Sequence, residues 1–135
     1  MRVTGTNLNE RGKQMNDNAI EQEIQDKGLT APRITPDDIA ENISSEHYFT
    51  AADGVMGNDD ISDSTLPSTA TMQTLGLLTF CVLVLRNGFT VTGKSACASP
   101  ENFDAELGRK IARQNAVSEI WPLMGYELRS KLAAQ

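Results

Sequence analysis

Two arginines, Arg109 and Arg113, lie four residues apart in the stretch SPENFDAELGRKIARQNA. Both guanidinium groups point the same way if this stretch is helical, because residues four apart are neighbours on a helix surface. Guanidinium groups form charge-assisted hydrogen bonds with anions, so the pair suits a small anionic ligand. The alternative is that the arginines pair with Glu106, Asp104 or a partner subunit.

Few other residues have the chemistry of a catalytic or metal site. His47 is the single histidine, and its expected place one helical turn beyond Ile43 predicts a packed or capping imidazole. No Cys/His cluster exists to hold a metal, and the acidic run at 59–63 lacks the glycine and the terminal glutamate of a calcium loop. Cys81 and Cys97 are expected to be reduced thiols that do not bridge. We therefore expect no metal and no cofactor.

A β-hairpin is predicted before the arginine stretch. The longest apolar run, Leu75 to Leu85, ends at Arg86-Asn87-Gly88-Phe89. Asn-Gly between two β-rich runs predicts a two-residue type I′ turn with positive φ at both residues. In that register Val84 faces Val91, and Cys81 lies opposite Lys94. One predicted face carries Phe80, Val82, Val84, Phe89 and Val91, and the other carries Cys81, Leu83, Leu85, Thr90, Thr92 and Lys94.

A long helix is predicted after the hairpin. Ser99-Pro100-Glu101 offers a cap, a proline at the first helical position and an acid near the positive end of the helix. Apolar residues then recur every four positions and predict a buried stripe. The residues of this stripe are Phe103, Leu107 and Ile111.

Two further helices complete the predicted fold. Pro122 predicts a break near Trp121, with a second C-terminal helix over about Leu123 to Leu132. Thr35-Pro36-Asp37-Asp38 predicts the start of an N-terminal helix that runs to about Tyr48. We expect an α+β fold, with an antiparallel β-sheet built around the Asn-Gly hairpin, C-terminal helices and one N-terminal helix.

The charge of the chain is unevenly distributed. The net charge is −6 over 135 residues, but residues 1–73 hold 5 Lys/Arg against 13 Asp/Glu, whereas residues 74–135 hold 7 against 5. The acidic front half argues against non-specific binding to duplex nucleic acid or to an anionic membrane. The mildly basic rear half suits a small anion.

The chain is predicted to be one folded domain with a polar tail. Residues 1–28 are expected to be a flexible polar tail or a frayed helix, and residues 29–135 a single α+β domain with a flexible linker at about 57–73. Met15 is an alternative natural start, with residues 1–14 an upstream extension. No leader segment is evident, and the apolar run at 75–85 is far shorter than the roughly 20 residues that span a bilayer. We expect a soluble cytoplasmic protein.

Several stretches resemble a family of small proteins encoded by tailed phages, the Gp49-like phage family. They are LTAPRITPDDIAENI, SEHYFTAADGV, FCVLVLRNGFTVTGKSAC, SPENFDAELGRKIARQNA and EIWPLMGY. More distantly, the hairpin and the long helix resemble the Thoeris anti-defence sponge proteins of the first type. Those proteins bind cyclic ADP-ribose isomers made by bacterial immune enzymes, and some also hold cyclic oligonucleotides. The resemblance implies an oligomeric protein of the host cytoplasm that captures such a signal.

The resemblance also implies roles for particular residues. Arg109 and Arg113 would hold a pyrophosphate, with Lys94 as a third cation. Phe89 or Trp121 would stack on the base. Contacts to ribose hydroxyls would come from Asn102, Thr90, Thr92 or Asn115. Each has a structural alternative, since Phe89 and Trp121 suit packing, Asn102 suits a helix start and Lys94 suits a solvated strand.

Three function classes follow. The first is a binding protein that sequesters a cyclic nucleotide immune signal without cleaving it, and it is not an enzyme. The second is a phage accessory protein that acts through protein contacts, with the acidic N-terminal half as the contacting surface. The third is a nucleotide hydrolase, which would need a general base, a metal or an activated nucleophile that the sequence does not present in an evident cluster.

Overall fold

A computed structural model describes residues 17–58, 60, 62 and 65–135 of the chain. Met15 and the predicted upstream extension 1–14 lie outside these described residues, as do parts of the acidic run at 59–63. The helices and strands occur in the order α1 (residues 17–26), α2 (Pro36–Glu41), β1 (Ile43–Thr50), α3 (Ala51–Met56), α4 (Thr69–Leu75), β2 (Leu78–Leu85), β3 (Thr90–Ala96), a 3-10 turn (Pro100–Asn102), α5 (Ala105–Ser118) and α6 (Ile120–Ala133).

Contacts divide the described chain into two compact units. The sheet unit comprises residues 44–119, and the helical unit comprises the described residues up to Ile43 together with residues 120–135. Helix α1 lies within the segment 1–28 that the sequence predicts to be a tail or a frayed helix. The division of the chain into a tail and one domain over residues 29–135 stays a prediction.

The sheet unit is built on a three-stranded antiparallel sheet of order β1-β2-β3. Burial alternates along β2, since every second side chain is buried and those between are half-buried. Period-2 burial of this kind means that one face of the sheet is covered and the other is open in part. The predicted α+β class, with an antiparallel sheet and C-terminal helices, is confirmed.

The loop between β2 and β3 differs from the predicted one. The Leu85 amide donates to the Phe89 carbonyl at 2.8 Å, and the Gly88 amide donates to the Leu85 carbonyl at 2.9 Å. Gly88 has φ +89°, and no non-glycine residue in the described part of the chain has a positive φ. The connection is therefore a three-residue loop, Arg86–Gly88, in which only Gly88 is left-handed. The predicted two-residue type I′ turn is wrong.

The additional loop residue shifts the register of the hairpin by one. Val84 pairs with Thr90 and Val82 pairs with Thr92, one residue away from the predicted partners. A shift of one residue moves every side chain of a strand to the opposite face. Val91 therefore joins the buried face of the sheet at 6% exposure, whereas the threonines lie on the open face.

The same shift changes the environment of the cysteines. Cys81 lies opposite Gly93 rather than opposite Lys94. Cys81 is buried, Cys97 is half-buried, and neither forms a disulfide. The Cys97 thiol instead donates to the Ser99 carbonyl at 3.1 Å.

Helix α5 begins later than the sequence predicts. Its cap is Asp104, whose carboxylate accepts a hydrogen bond from the Leu107 amide at 3.0 Å. Residues Pro100–Asn102 form a single 3-10 turn, and the Ser99 side chain makes no capping hydrogen bond. The predicted start at Ser99-Pro100 is therefore wrong, and the helix proper begins at Ala105.

Small residues hold α5 against β2 and β3. Ala112 and Ala116 are both 0% exposed. Opposite them lies Gly93, where a Cβ would overlap the Ala112 carbonyl oxygen and the Ala116 amide nitrogen and would lie 2.9 Å from the Asn115 carbonyl carbon. Only glycine permits so close an approach of strand and helix backbones. The predicted stripe is only half-buried, at Phe103, Leu107 and Ile111.

Residues 43–50 form a strand where the sequence predicts the end of a helix. Helix α2 starts as predicted, with a capping box between Thr35 and Asp38, but it ends at Glu41. The segment that follows ends in Tyr-Phe-Thr, which favours β structure. His47 consequently lies exposed on β1, with Nε2 3.0 Å from the Ser45 hydroxyl. The prediction of His47 on the inner face of a helix is wrong.

The remaining helix boundaries depart less from expectation. Helix α4 begins at Thr69, within the predicted linker 57–73. Helix α5 ends at Ser118 and α6 begins at Ile120, slightly before the predicted break near Trp121. Pro122 thus lies in the first turn of α6, where its missing amide hydrogen is not needed. The predicted second C-terminal helix exists and is longer at both ends.

Replacing Gly93 with alanine should destabilise the sheet unit by more than about 3 kcal/mol, because the new methyl group meets backbone atoms that cannot rotate away. Urea unfolding measures the loss. Gly125→Ala is the control, since a Cβ at this helical position meets nothing within 4 Å and should stabilise by about 0.5–1 kcal/mol. A fully stable Gly93→Ala variant would contradict the packing described for α5.

Candidate ligand-binding groove

Arg113 of α5 forms an ion pair with Glu46 of β1. Its Nε donates to Glu46 Oε1 at 3.0 Å, and its terminal nitrogen donates to Oε2 at 2.9 Å. Both side chains are partly exposed, at 41% and 34%. The hydrogen bond from Arg113 holds the pKa of Glu46 below its ordinary value, and the same contact raises the pKa of Arg113. A ligand anion would have to displace this carboxylate to reach the guanidinium.

Tyr48 and Cys81 adjoin the same ion pair. The Tyr48 hydroxyl donates to Glu46 Oε1 at 2.8 Å. Burial and that hydrogen bond raise the pKa of Tyr48, and burial raises the pKa of the Cys81 thiol. A phenol and a thiol that stay protonated near neutral pH are poor nucleophiles. The cluster therefore ties β1 to α5 and does not present an activated nucleophile.

The predicted contacts on and before α5 do not converge within the chain. Arg109 is exposed, and Asn102 is exposed on the 3-10 turn. Asn115 turns towards the other edge of the sheet, where its amide donates to the Lys94 carbonyl at 2.9 Å. Arg113 is held at β1, so the side chains of Arg113 and Asn115 on the same helix lie towards opposite edges of the sheet.

Most of the remaining predicted contacts lie on β3 and its loop, whereas Trp121 is half-buried in the first turn of α6. Phe89 is 56% exposed at the end of the hairpin. Thr92 and Lys94 are exposed on β3 and share the open face of the sheet with their partners Val82 and Phe80. The predicted contact residues of the sheet unit thus lie on α5, the 3-10 turn, the hairpin end and the open face of the sheet.

A groove of about 610 Å³ lies beside the open face of the sheet. This volume is within the range of about 300–1,000 Å³ that is typical of small-molecule pockets. Two stacked rings, Phe49 of β1 and Phe80 of β2, line it with centroids 5.5 Å apart and planes 27° apart. The rest of the lining comes from Ala51, Gly54, Val55, Asn58, Asp60 and Thr65.

A cation stands next to the aromatic pair. Phe80 and Lys94 are directly opposite each other on β2 and β3. Opposed residues of an antiparallel pair have their side chains on the same face, with Cβ atoms about 4.5–5.5 Å apart. The open face therefore carries a row of Phe49, Phe80 and Lys94 across the three strands, which we call the aromatic–lysine row.

This row has the chemistry of a nucleotide site. Aromatic rings stack on any nucleobase, and an ammonium group binds a phosphate as a point charge. Among the described residues, Lys94 has no carboxylate within 4.0 Å of its ammonium. Its charge is therefore available to a ligand, in contrast to that of Arg113.

The sequence interpretation missed Phe49 and Phe80 as candidate contacts. The predicted N-terminal helix runs to about Tyr48, so it does not bring Phe49 into the sheet. The predicted register of the hairpin puts Phe80 on the same face as Phe89 and on the opposite face from Lys94. The residues that indicate a strand here are Tyr-Phe-Thr at the end of the segment ISSEHYFT. Had that segment been assigned to a strand, a second aromatic residue would have entered the sheet.

The fold defines a small α+β protein with a helix-covered antiparallel sheet. Residues 34–132 match the phage protein (N4 Gp49/phage Sf6 gene 66) family. The match covers most of the chain, which therefore belongs to this phage protein family. No curated protein and no solved structure is significantly similar to the chain.

Two general features of the described residues bear on the site. No three or more His, Cys, Asp or Glu side chains in the described part of the chain are grouped so as to hold a metal ion. Within the same residues, every helix is too short or too polar to cross a bilayer.

The Glu46–Arg113 pair predicts a specific dependence of stability on pH. The folded-state pKa of Glu46 is lowered from 4.5. The ion pair therefore stabilises the folded protein above the unfolded pKa of Glu46, and this stabilisation is lost as pH falls through the folded pKa. Glu46→Gln should lower the free energy of unfolding by about 1 kcal/mol at pH 7, a small amount because partly exposed pairs are screened. The variant should also lose less stability than the unsubstituted protein below about pH 4.5.

Urea unfolding at pH 7, 4.5 and 3 checks this prediction. Glu101→Gln changes an exposed carboxylate of the same unit and should leave the pH dependence as it is in the unsubstituted protein. If Glu46→Gln and the unsubstituted protein lose stability in parallel on acidification, the ion pair does not contribute as described.

Proposed function

We propose that this phage protein binds a cyclic nucleotide immune signal in the host cytoplasm and sequesters it without cleaving it. The ligand base stacks in the groove on Phe49 and Phe80, and a phosphate lies against Lys94. The aromatic–lysine row is the observation that carries the proposal, because it places a stacking surface and an available cation on one face of the sheet. The resemblance to the Thoeris anti-defence sponges gives the ligand class, cyclic ADP-ribose isomers and cyclic oligonucleotides.

The magnitudes indicate that one chain provides part of the affinity. Stacking contributes about 1–3 kcal/mol per base, and a hydrogen bond to a charged group contributes about 1.5–3 kcal/mol. Even when the stacking and hydrogen-bond contributions are both at their upper limits, their sum corresponds to a Kd between about 1 mM and 1 μM. A sponge that holds a scarce signal needs about 12 kcal/mol for nanomolar binding. The proposal therefore includes a homo-oligomer, in which a second copy closes the open groove.

Sequestration needs tight binding and slow release, not a reaction. The lining of the groove is mainly apolar and aromatic, which suits retention of a base. The protonated Tyr48 and Cys81 lie in the cluster with Glu46, on the face that α5 covers. These features support a non-catalytic protein, and recovery of the ligand tests that part directly.

The test mixes the purified full chain with cyclic ADP-ribose isomers and with cyclic di- and trinucleotides, and measures binding by calorimetry. The complex is then heated, and the released nucleotide is analysed by mass spectrometry. We expect at least one nucleotide to bind and to be recovered intact. Recovery of a cleaved product would replace sequestration with hydrolysis, and absence of binding across the panel would overturn the proposal.

Substitutions in the aromatic–lysine row should weaken nucleotide binding by a defined amount. Phe49→Ala removes one stacked ring and should raise Kd by about 5- to 150-fold. Lys94→Glu places a negative charge beside the phosphate and should raise Kd at least about tenfold. Lys110→Glu is the matched control, because it reverses an exposed lysine on α5, away from the open face.

Arg109→Glu separates the groove from the arginine pair predicted by the sequence. Arg109 is exposed, so its reversal leaves the ion pair of α5 with β1 in place. Arg113→Glu is less informative, because it sets a carboxylate against Glu46. If Arg109→Glu abolishes binding and Phe49→Ala does not alter it, the ligand binds to the surface of α5 and the groove is not the site.

A further inference from the structure

Ser45 and His47 form a polar pair on β1. The Ser45 hydroxyl oxygen and the His47 Nε2 are 3.0 Å apart. Successive side chains of a strand point to opposite faces, so both residues share the face of Phe49. Phe49 stacks on Phe80 at the open face of the sheet. The hydroxyl and the imidazole therefore lie on this open face, and His47 is two residues along β1 from the aromatic pair.

This pair has one hydrogen-bond donor that no protein group uses. A neutral imidazole has one N–H group and one acceptor nitrogen. If Nε2 carries the hydrogen, the ring donates to Ser45 and the hydroxyl hydrogen is available to another acceptor. If Nδ1 carries it, the hydroxyl donates to Nε2 and the Nδ1–H group is available. Within the described part of the chain, no third residue bonds to either side chain. The pair therefore offers a donor to an anion in both tautomers.

The open face has no carboxylate along the three described strands. Their single acidic residue, Glu46, lies on the covered face, where it pairs with Arg113. The polar side chains of the open face are a lysine, a histidine and three hydroxyl groups, and all of them belong to the two outer strands. These residues are Ser45, His47, Thr90, Thr92 and Lys94. Such a face suits an anionic ligand with several polar groups.

The middle strand separates His47 from Lys94. Neighbouring strands lie about 4.7–4.9 Å apart, so β1 and β3 are about 9–10 Å apart with β2 between them. The contact with Ser45 also turns the imidazole away from Phe49, which stands in the same row as Lys94. The two anion contacts are therefore far apart. They suit two phosphates with a sugar between them better than the two phosphates of one pyrophosphate, which share a bridging oxygen.

We propose that Ser45 and His47 form a second phosphate contact on the open face, and that the site therefore selects cyclic oligonucleotides over cyclic ADP-ribose isomers. One phosphate lies against Lys94, and a phosphate on a separate linkage accepts a hydrogen bond from the Ser45–His47 pair. A cyclic ADP-ribose isomer has both phosphates in one pyrophosphate and reaches only the lysine. This inference rests on the proposed function, because it adds a contact to the same nucleotide site.

Calorimetry with cyclic di-AMP and with a cyclic ADP-ribose isomer tests the selection, because both ligands contain adenine and two phosphates. The double substitution Ser45→Ala/His47→Ala removes both donors and should raise Kd for cyclic di-AMP about tenfold or more, as expected for a lost hydrogen bond to a charged group. The same variant should leave Kd for the cyclic ADP-ribose isomer unchanged. Ser44→Ala is the matched control, since Ser44 is exposed on the opposite face of β1.

The single histidine of the chain gives a second, direct measurement. Its ring contributes one set of imidazole signals to a ¹H–¹⁵N spectrum of the unsubstituted protein. Cyclic di-AMP should shift these signals in a saturable way, whereas the cyclic ADP-ribose isomer should not. This measurement needs no substitution, and circular dichroism melts establish that the double variant and the control are folded.

The outcomes distinguish this inference from the proposed function. If Phe49→Ala and Lys94→Glu weaken binding of cyclic di-AMP but Ser45→Ala/His47→Ala does not, the second contact is overturned and the groove remains a nucleotide site. If the cyclic ADP-ribose isomer binds as tightly as cyclic di-AMP, or shifts the imidazole signals equally, the selection is overturned. Absence of binding by every cyclic nucleotide overturns both the inference and the proposed function.

Discussion

The close approach of Gly93 to helix α5 is the contact on which the sheet unit depends. Because no side chain separates the strand from the backbone of Ala112 and Ala116, α5 lies directly on β2 and β3. That contact fixes which face of β3 is buried. The opposite face is then left to Lys94, whose carbonyl at the sheet edge accepts a hydrogen bond from Asn115 of the same helix. The position of a candidate ligand contact thus follows from a glycine on the other side of the strand.

The Glu46–Arg113 pair plays a corresponding part at the other edge of the sheet. It joins β1 to α5 with two hydrogen bonds, whereas Phe49 and Phe80 join β1 to β2 through their rings. The ion pair occupies a guanidinium that sequence reasoning assigned to a ligand. The Glu46 carboxylate neutralises the charge of Arg113, which orients β1. The positive charge available to an anion therefore comes from other residues, and Lys94 and Arg109 are exposed.

Sequence reasoning predicted the fold class and the presence of the hairpin, because long apolar runs and turn residues are local signals. It failed where two local signals competed. Asn87 and Gly88 suit a two-residue turn, but the glycine alone provides the left-handed residue of a three-residue loop, and one residue of difference reversed the faces of β3. Likewise, no residue within the helix that starts at Thr35-Pro36 indicates that it ends at Glu41. The sequence therefore predicts a helix as far as Tyr48 and does not place Phe49 in the sheet. Phe49 could therefore not enter any predicted site.

Net charge is a poor guide to what this chain binds, because charge acts over a limited distance. At physiological ionic strength exposed charges are screened beyond about 8 Å, so an anionic ligand responds to the residues within that range and not to the total of −6. Phe80 lies directly opposite Lys94 on the neighbouring strand, whereas residues 17–43 carry seven carboxylates. A positive charge can therefore lie next to the aromatic pair although the chain as a whole is acidic. Since the attraction of one exposed charge does not extend far through salt, stacking must supply most of the affinity of the proposed nucleotide site, and charge decides which ligands are admitted.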